Sequence, residues 1–207
     1  MKQLLIIISF ISGLTVSCNH SENRKTANVE PNEDSKSGLK TELQQNKKII
    51  DSLIKLNSAQ ILTFVKLLKS ENFIPVQNDS FPDDIETEIV VIKDSLGHVM
   101  VTSEFSITES ADWRISWIHY FDKTGKTFVF QRKVSFYNGG CTNGDAKETK
   151  TSYYNANFQV TQQEYSLVDE NNNELQKDSC KFDRDYEHEV SRDLNSFLKT
   201  KKIKNSM

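Results

Sequence analysis

A chain of 207 residues, 36% hydrophobic and with a net charge of −3, carries material for one domain of ordinary size once a leader and a polar stretch are set aside. A charge that close to balance, with no basic stripe interleaved with aromatics, leaves no nucleic-acid footprint, and no nucleic-acid partner is expected. Of the three cysteines, one sits close to the N-terminus and two lie far downstream, so they need separate explanations.

The chain opens with Lys2 and a short apolar run from Leu4 to Val16. That run falls short of the roughly 20 apolar residues a helix needs to cross a bilayer, and it has the layout of a secretory signal. It ends in Leu14-Thr-Val-Ser-Cys18, which resembles a bacterial lipoprotein box, with Thr15 standing where Leu is typical. The resemblance implies that 1–17 is a signal peptide cut before Cys18, and that Cys18 is the lipidation site. Several acyl chains on one residue give stable membrane anchoring where a single chain does not. An ordinary signal peptide followed by an unrelated cysteine is the alternative.

Residues 18–46 are polar and charged, with almost no large apolar side chains. Such a stretch buries too little surface to offset its chain entropy and is expected to be a disordered tether. A lipobox-like leader followed by an Asn/Lys/Ser-rich tether resembles the small envelope lipoproteins of Bacteroidota. What that resemblance implies is an address: exported, in the bacterial cell envelope, attached to the membrane through lipid at Cys18. The acidic cluster that marks surface export in that group is not evident after Cys18, so a periplasm-facing and a surface-facing position both stay open.

The folded region is expected over 47–207. From Lys47 to about Glu71, Ile50, Leu53, Ile54, Ile61, Phe64, Val65 and Leu68 recur at helical spacing, with Ile49, Leu56 and Leu67 widening the stripe on one side, and the segment reads as one amphipathic helix covering a sheet. Pro75 and Pro82 mark the connector that follows. Glu88–Lys93 and His98–Ile107 read as strands joined by Asp94-Ser-Leu-Gly97.

The strongest signal is 112–137. Trp113, Ile115, Trp117, His119 and Phe121 alternate on one run, and Phe128, Phe130, Arg132, Val134 and Phe136 on the next, which predicts a hairpin about Asp122-Lys-Thr-Gly125. Matching apolar to apolar pairs Phe121 with Phe128, His119 with Phe130, Trp117 with Arg132 and Trp113 with Phe136. Asp122-x-x-Gly125 favours a type I turn with a bulge, which shifts the pairing by one. Burial is expected to outweigh turn preference. A further hairpin over 148–168, a short strand at 174–177 and a closing helix from about Asp183 to Thr200 complete the expectation: α+β, an antiparallel meander of six or seven strands flanked by an N-terminal and a C-terminal helix.

Cys141 and Cys180 are the pair left to the folded region, and in an exported chain a pair reads as a disulfide. His188-Glu-Val-Ser-Arg192 begins like a zinc-protease signature, but Arg192 occupies the place of the second imidazole. Asp169-x-Asn171-x-Asn173 begins like a calcium loop, but Glu174 replaces the Gly and Cys180 the closing Glu. No phosphate loop or nucleophile elbow is present in the sequence. No catalytic group, metal or cofactor is therefore expected. The possible ligand face is Trp113, Trp117, His119 and Arg132; the two tryptophans are expected to pack in the core, and His119 and Arg132 to be buried polar groups satisfied by hydrogen bonds. The functional expectation is a lipid-anchored, non-enzymatic envelope module that binds a protein or glycan partner. The alternatives are a small envelope hydrolase working through His119, or a binder of hydrophobic ligands on the Trp113/Trp117 face.

Overall fold

The structure, a computed structural model, describes residues 33–56, 59–78, 80–107, 113–137, 140–180 and 188–203. Cys18, the leader 1–17 and the tether as far as residue 32 lie outside the described residues. The elements run α1 (Glu33–Lys55), β1 (Gln60–Leu67), β2 (Phe73–Pro75), β3 (Ile85–Lys93), β4 (Val99–Ser106), β5 (Trp113–Phe121), β6 (Thr127–Tyr137), β7 (Asp145–Tyr154), β8 (Val160–Asp169) and α2 (Leu194–Thr200). The strands make one antiparallel sheet of eight in the order β2-β1-β3-β4-β5-β6-β7-β8, so the α+β class holds with more strands than the expected six or seven.

Two expected helices are corrected. The predicted helix at 47–71 ends at Lys55, and 60–67 is a strand paired to β2 and β3. Val65 is fully buried and Phe64 nearly so, because β1 has covered apolar residues on both faces. A strand buried on both sides loses its alternation, and its apolar run then also fits a helical stripe. At the other end of the chain, 188–193 is not helical, and the closing helix begins only at Leu194, with Asp193 as its cap accepting from the Ser196 amide at 2.8 Å; 183–187, where that helix was expected to start, lie outside the described residues. The expected strand at 174–177 reduces to a single bridge between Glu174 and Val168.

The tether is corrected too, since α1 starts at Glu33 rather than at Lys47. Leu43 is buried, and Leu39 packs beside it on a core made with Met100, Ile118, Tyr120, Phe128, Val129 and Tyr153. Two leucines four apart suffice to seat this otherwise polar turn of helix on the sheet. Polar contacts fix its position: the Tyr120 hydroxyl donates to Asp51 at 2.9 Å, and Lys47, 2.8 Å from Asp51, lies 4.8 Å above the Tyr120 ring.

The opposite face carries a second core of Phe64, Ile89, Val91, Phe121, Phe197, Leu198 and Ile203 beneath α2. The sheet thus lies between α1 and the C-terminal segment.

Hairpin register follows one device used three times. Trp113, Trp117 and His119 pair with Phe136, Arg132 and Phe130 as burial demands, yet Phe121 pairs with Thr127 and not with Phe128. A bulge absorbs the mismatch, so Phe121 joins the α2-side core and Phe128 the α1-side core. The turn keeps its own preference as well: Gly125 has φ 80°, its amide donates to the Asp122 carbonyl at 2.9 Å, and Asp122 Oδ1 accepts the Thr124 amide at 2.8 Å. The β3–β4 turn at Asp94 and the β7–β8 turn at Asn155 are built alike, each with a side-chain oxygen taking two loop amides and a bulge behind it. These three turns share one end of the sheet.

Cys141 and Cys180 form a disulfide across 39 residues of sequence. It joins the β6–β7 loop to the segment after β8, beside Ala146 and Leu167. A disulfide of this kind belongs to an oxidising, exported environment. Replacing both cysteines by Ser is expected to cost about 3–4 kcal/mol, the chain-entropy value for a loop of this size. Urea unfolding of the oxidised wild type and the double variant measures it.

Candidate functional site

Trp113, Trp117 and His119 stand at even spacings of four and two on β5, and Arg132 lies opposite Trp117 on β6, so the period of the strand places all four on the α2 face as expected. What covers them was not visible in the sequence. From His188 onward the chain lies along this face, held by backbone and side-chain bonds. The Thr127 hydroxyl donates to the Ser191 carbonyl at 2.8 Å, the Thr127 amide donates to the Arg192 carbonyl at 3.0 Å, and the Leu194 amide donates to the Gly125 carbonyl at 2.8 Å.

His119 is completely buried. Its Nε2 accepts the Ser191 amide at 3.1 Å, which puts the proton of the neutral ring on Nδ1, where no hydrogen-bond partner is found among the described residues. Phe130 meets it edge-on at 4.9 Å, with Phe197 at 5.2 Å and His188 at 6.0 Å. Burial, reinforced by the nearby His188 and Lys201, lowers its pKa to about 3. In this state His119 is a neutral imidazole with no exposed surface.

His188 stacks on Trp117 at 4.7 Å and lies parallel to Phe130 at 5.7 Å. Burial, then the charge of Lys201, lowers its pKa to about 4. Lys201 sits 2.7 and 2.6 Å from the two carboxylate oxygens of Glu104. Trp117 is therefore a roofed core residue and not an open platform, as expected from its place among the few large residues available for a core. Trp113 is half-buried against Ile115, Val134 and Phe136. Arg132 is paired with Glu148 across β6 and β7, with only 12% and 2% of their side chains exposed. Arg132 is thus a buried polar group satisfied by a partner, the state expected of it among the aromatic residues of this face.

The 188–192 segment is not helical, so the zinc-protease-like run has no helix to present it. Asp169 takes the amides of Asn171 and Asn173 at 2.9 and 2.8 Å and closes its own turn. Among the described residues no cluster of His, Cys, Asp or Glu has the arrangement of a metal site.

The surface that sequence reasoning missed is on the other side of the sheet. A cavity of about 750 Å³ runs between α1 and the three turns, with Leu39, Leu43, Ile50 and Leu53 on the helix wall and Met100 and Phe128 opposite. Its signal was present as the widening of the helical stripe by Ile49, which is 51% exposed beside it.

The chain matches no protein-family model, no curated protein and no solved structure.

Proposed function

We propose that this chain is an envelope lipoprotein, anchored through Cys18, whose domain is a non-enzymatic module that binds a protein partner by accepting a strand along β8. The observation that carries the reading is the state of the two sheet edges. β2 is three residues long and ends in Pro75, which blunts that edge. β8 is ten residues long, and among the described residues its outer side is met only near its end, by the Val168–Glu174 bridge and the Leu175 amide donating to the Leu167 carbonyl. From Val160 to Ser166 it carries one charge, Glu164, and no Lys or Pro. A long edge of that kind is a template for an added strand, with main-chain bonds supplying affinity. The disulfide supports an extracytoplasmic setting, and the Leu14–Cys18 run supports the anchor.

The test is in-cell cross-linking and pull-down, with Cys18→Ala, Gln162→Pro and Gln163→Pro. Successive amides of an edge strand point alternately inward and outward, so one proline breaks a bond to β7 and the other only blocks the edge. A discrete partner is expected with the native chain and is lost with the outward proline at unchanged melting temperature. Membrane release is expected for Cys18→Ala. Retention of the partner by both prolines sinks the edge reading, and a Cys18→Ala chain still on the membrane sinks the anchor.

A further inference from the structure

We propose that the cleft between α1 and the three hairpin turns is a binding site for a long-chain fatty acid, with the chain along α1 and the carboxylate at Lys123 and Lys126. This goes beyond the β8 reading and does not depend on it.

Shape comes first. The cavity, about 750 Å³, lies within the roughly 300–1,000 Å³ of small-molecule sites. Its helix wall runs from Leu39 to Leu53, about 21 Å at the α-helical rise, which suits an extended acyl chain.

The polar groups decide between a chain and a peptide. A bound peptide brings amides and carbonyls that need partners once buried. The side-chain acceptors at the three turns are already committed: Asp94 to the Leu96 and His98 amides, Asp122 to those of Thr124 and Lys126, Asn155 to those of Asn157 and Gln159. A hydrocarbon chain asks for none of them.

Charge then places the head. Among the acidic and basic side chains lining the cleft, Asp94 and Asp122 each have an oxygen bound into their own loop, and the His98 ring is held by Asp94 at 3.1 Å. Glu42 stands on the helix wall. Lys123 and Lys126 are exposed on the β5–β6 turn and carry no ion pair among the described residues. Two free ammonium groups at the mouth of an apolar cleft match one carboxylate.

The experiment uses the full chain with Cys18→Ala, so that no covalently attached acyl group competes, and dansyl-undecanoate fluorescence as the probe. Saturable binding at a single site is expected, with palmitate displacing the probe and hexadecanol doing so about tenfold less well, the factor for losing a charge-assisted contact. Lys123→Gln with Lys126→Gln is expected to remove that preference and leave hexadecanol unchanged. Ile49→Glu, at a half-exposed wall position, is expected to abolish both. Failure of palmitate to displace the probe overturns the proposal. So does equal affinity for acid and alcohol in the unsubstituted lysine background, or undiminished binding by Ile49→Glu at an unchanged melting temperature.

Discussion

Acidification from pH 7 to pH 4 is expected to remove several kcal/mol of stability from this domain through His119 and His188. Both rings are buried and neutral in the native state, with pKa values of about 3 and about 4 against an ordinary 6.5. Between 6.5 and those values the unfolded chain binds protons that the native state refuses, so stability rises with pH there and falls as pH is lowered. Above 6.5 neither state is protonated at these rings, and the contribution is fully present. The groups that face the pair act in the same sense or are already engaged: Lys201 opposes a second positive charge, and Glu104, 3.9 Å from His188, is held by Lys201. The loss begins where the C-terminal segment is held, because the amide bonded to His119 belongs to Ser191. Urea unfolding at pH 7, 5 and 4 reads the slope. His119→Gln keeps an acceptor for the Ser191 amide and removes one titrating ring, so its slope is expected to be shallower by about one proton. Parallel slopes for the two proteins count against the assignment.

Glu148→Ala is expected to cost about 3–5 kcal/mol, the range for breaking a buried ion pair from one side. Glu148 is 2% exposed and paired with Arg132, and Lys150 lies 3.7 Å from its other oxygen. Tyr165 on β8 belongs to the same group: burial, and then the Glu148 carboxylate, push its hydroxyl up to about 12. The carboxylate therefore ties β6, β7 and β8 together. Removing it leaves a guanidinium in a place with little water. Replacing both partners, with Arg132→Met and Glu148→Leu, removes the buried guanidinium together with the carboxylate and is expected to restore most of the loss. A Glu148→Ala protein within about 1 kcal/mol of the native one shows instead that the pair is solvated in solution.

The candidate ligand face was legible as a face, and the scarcity of other large residues already favoured burying it, but what would cover it was not legible. Period-two alternation correctly set Trp113, Trp117, His119 and Arg132 side by side, since the pleat alone decides that. Whether such a face is open depends on what returns to cover it. The covering residues, His188 to Ile203, are some 70 positions away in sequence from β5, counted from the His119–Ser191 contact at a separation of 72. His188 has no local pattern that marks it as the roof of Trp117. Conversely, the apolar cleft had only a faint mark in the excess width of the α1 stripe, because a cleft is a relation between elements and not a property of one.

By itself, the sequence determined the antiparallel class, the central hairpin, the pairing of Trp113, Trp117 and His119 with Phe136, Arg132 and Phe130, and the disulfide between Cys141 and Cys180. Each of these follows from short-range chemistry: alternation, turn residues, or the number of cysteines left to pair. Only the tertiary structure decided that 60–67 is a strand, that α1 reaches back to Glu33, and that 188–193 is non-helical before a short helix. In those segments the local preferences are nearly balanced. Long-range burial then chooses, putting Val65 inside the sheet, Leu43 on its floor and His188 between Trp117 and Phe130. The bulge at Phe128 shows both levels at once, with the turn keeping the glycine its backbone prefers and the two cores each keeping a phenylalanine.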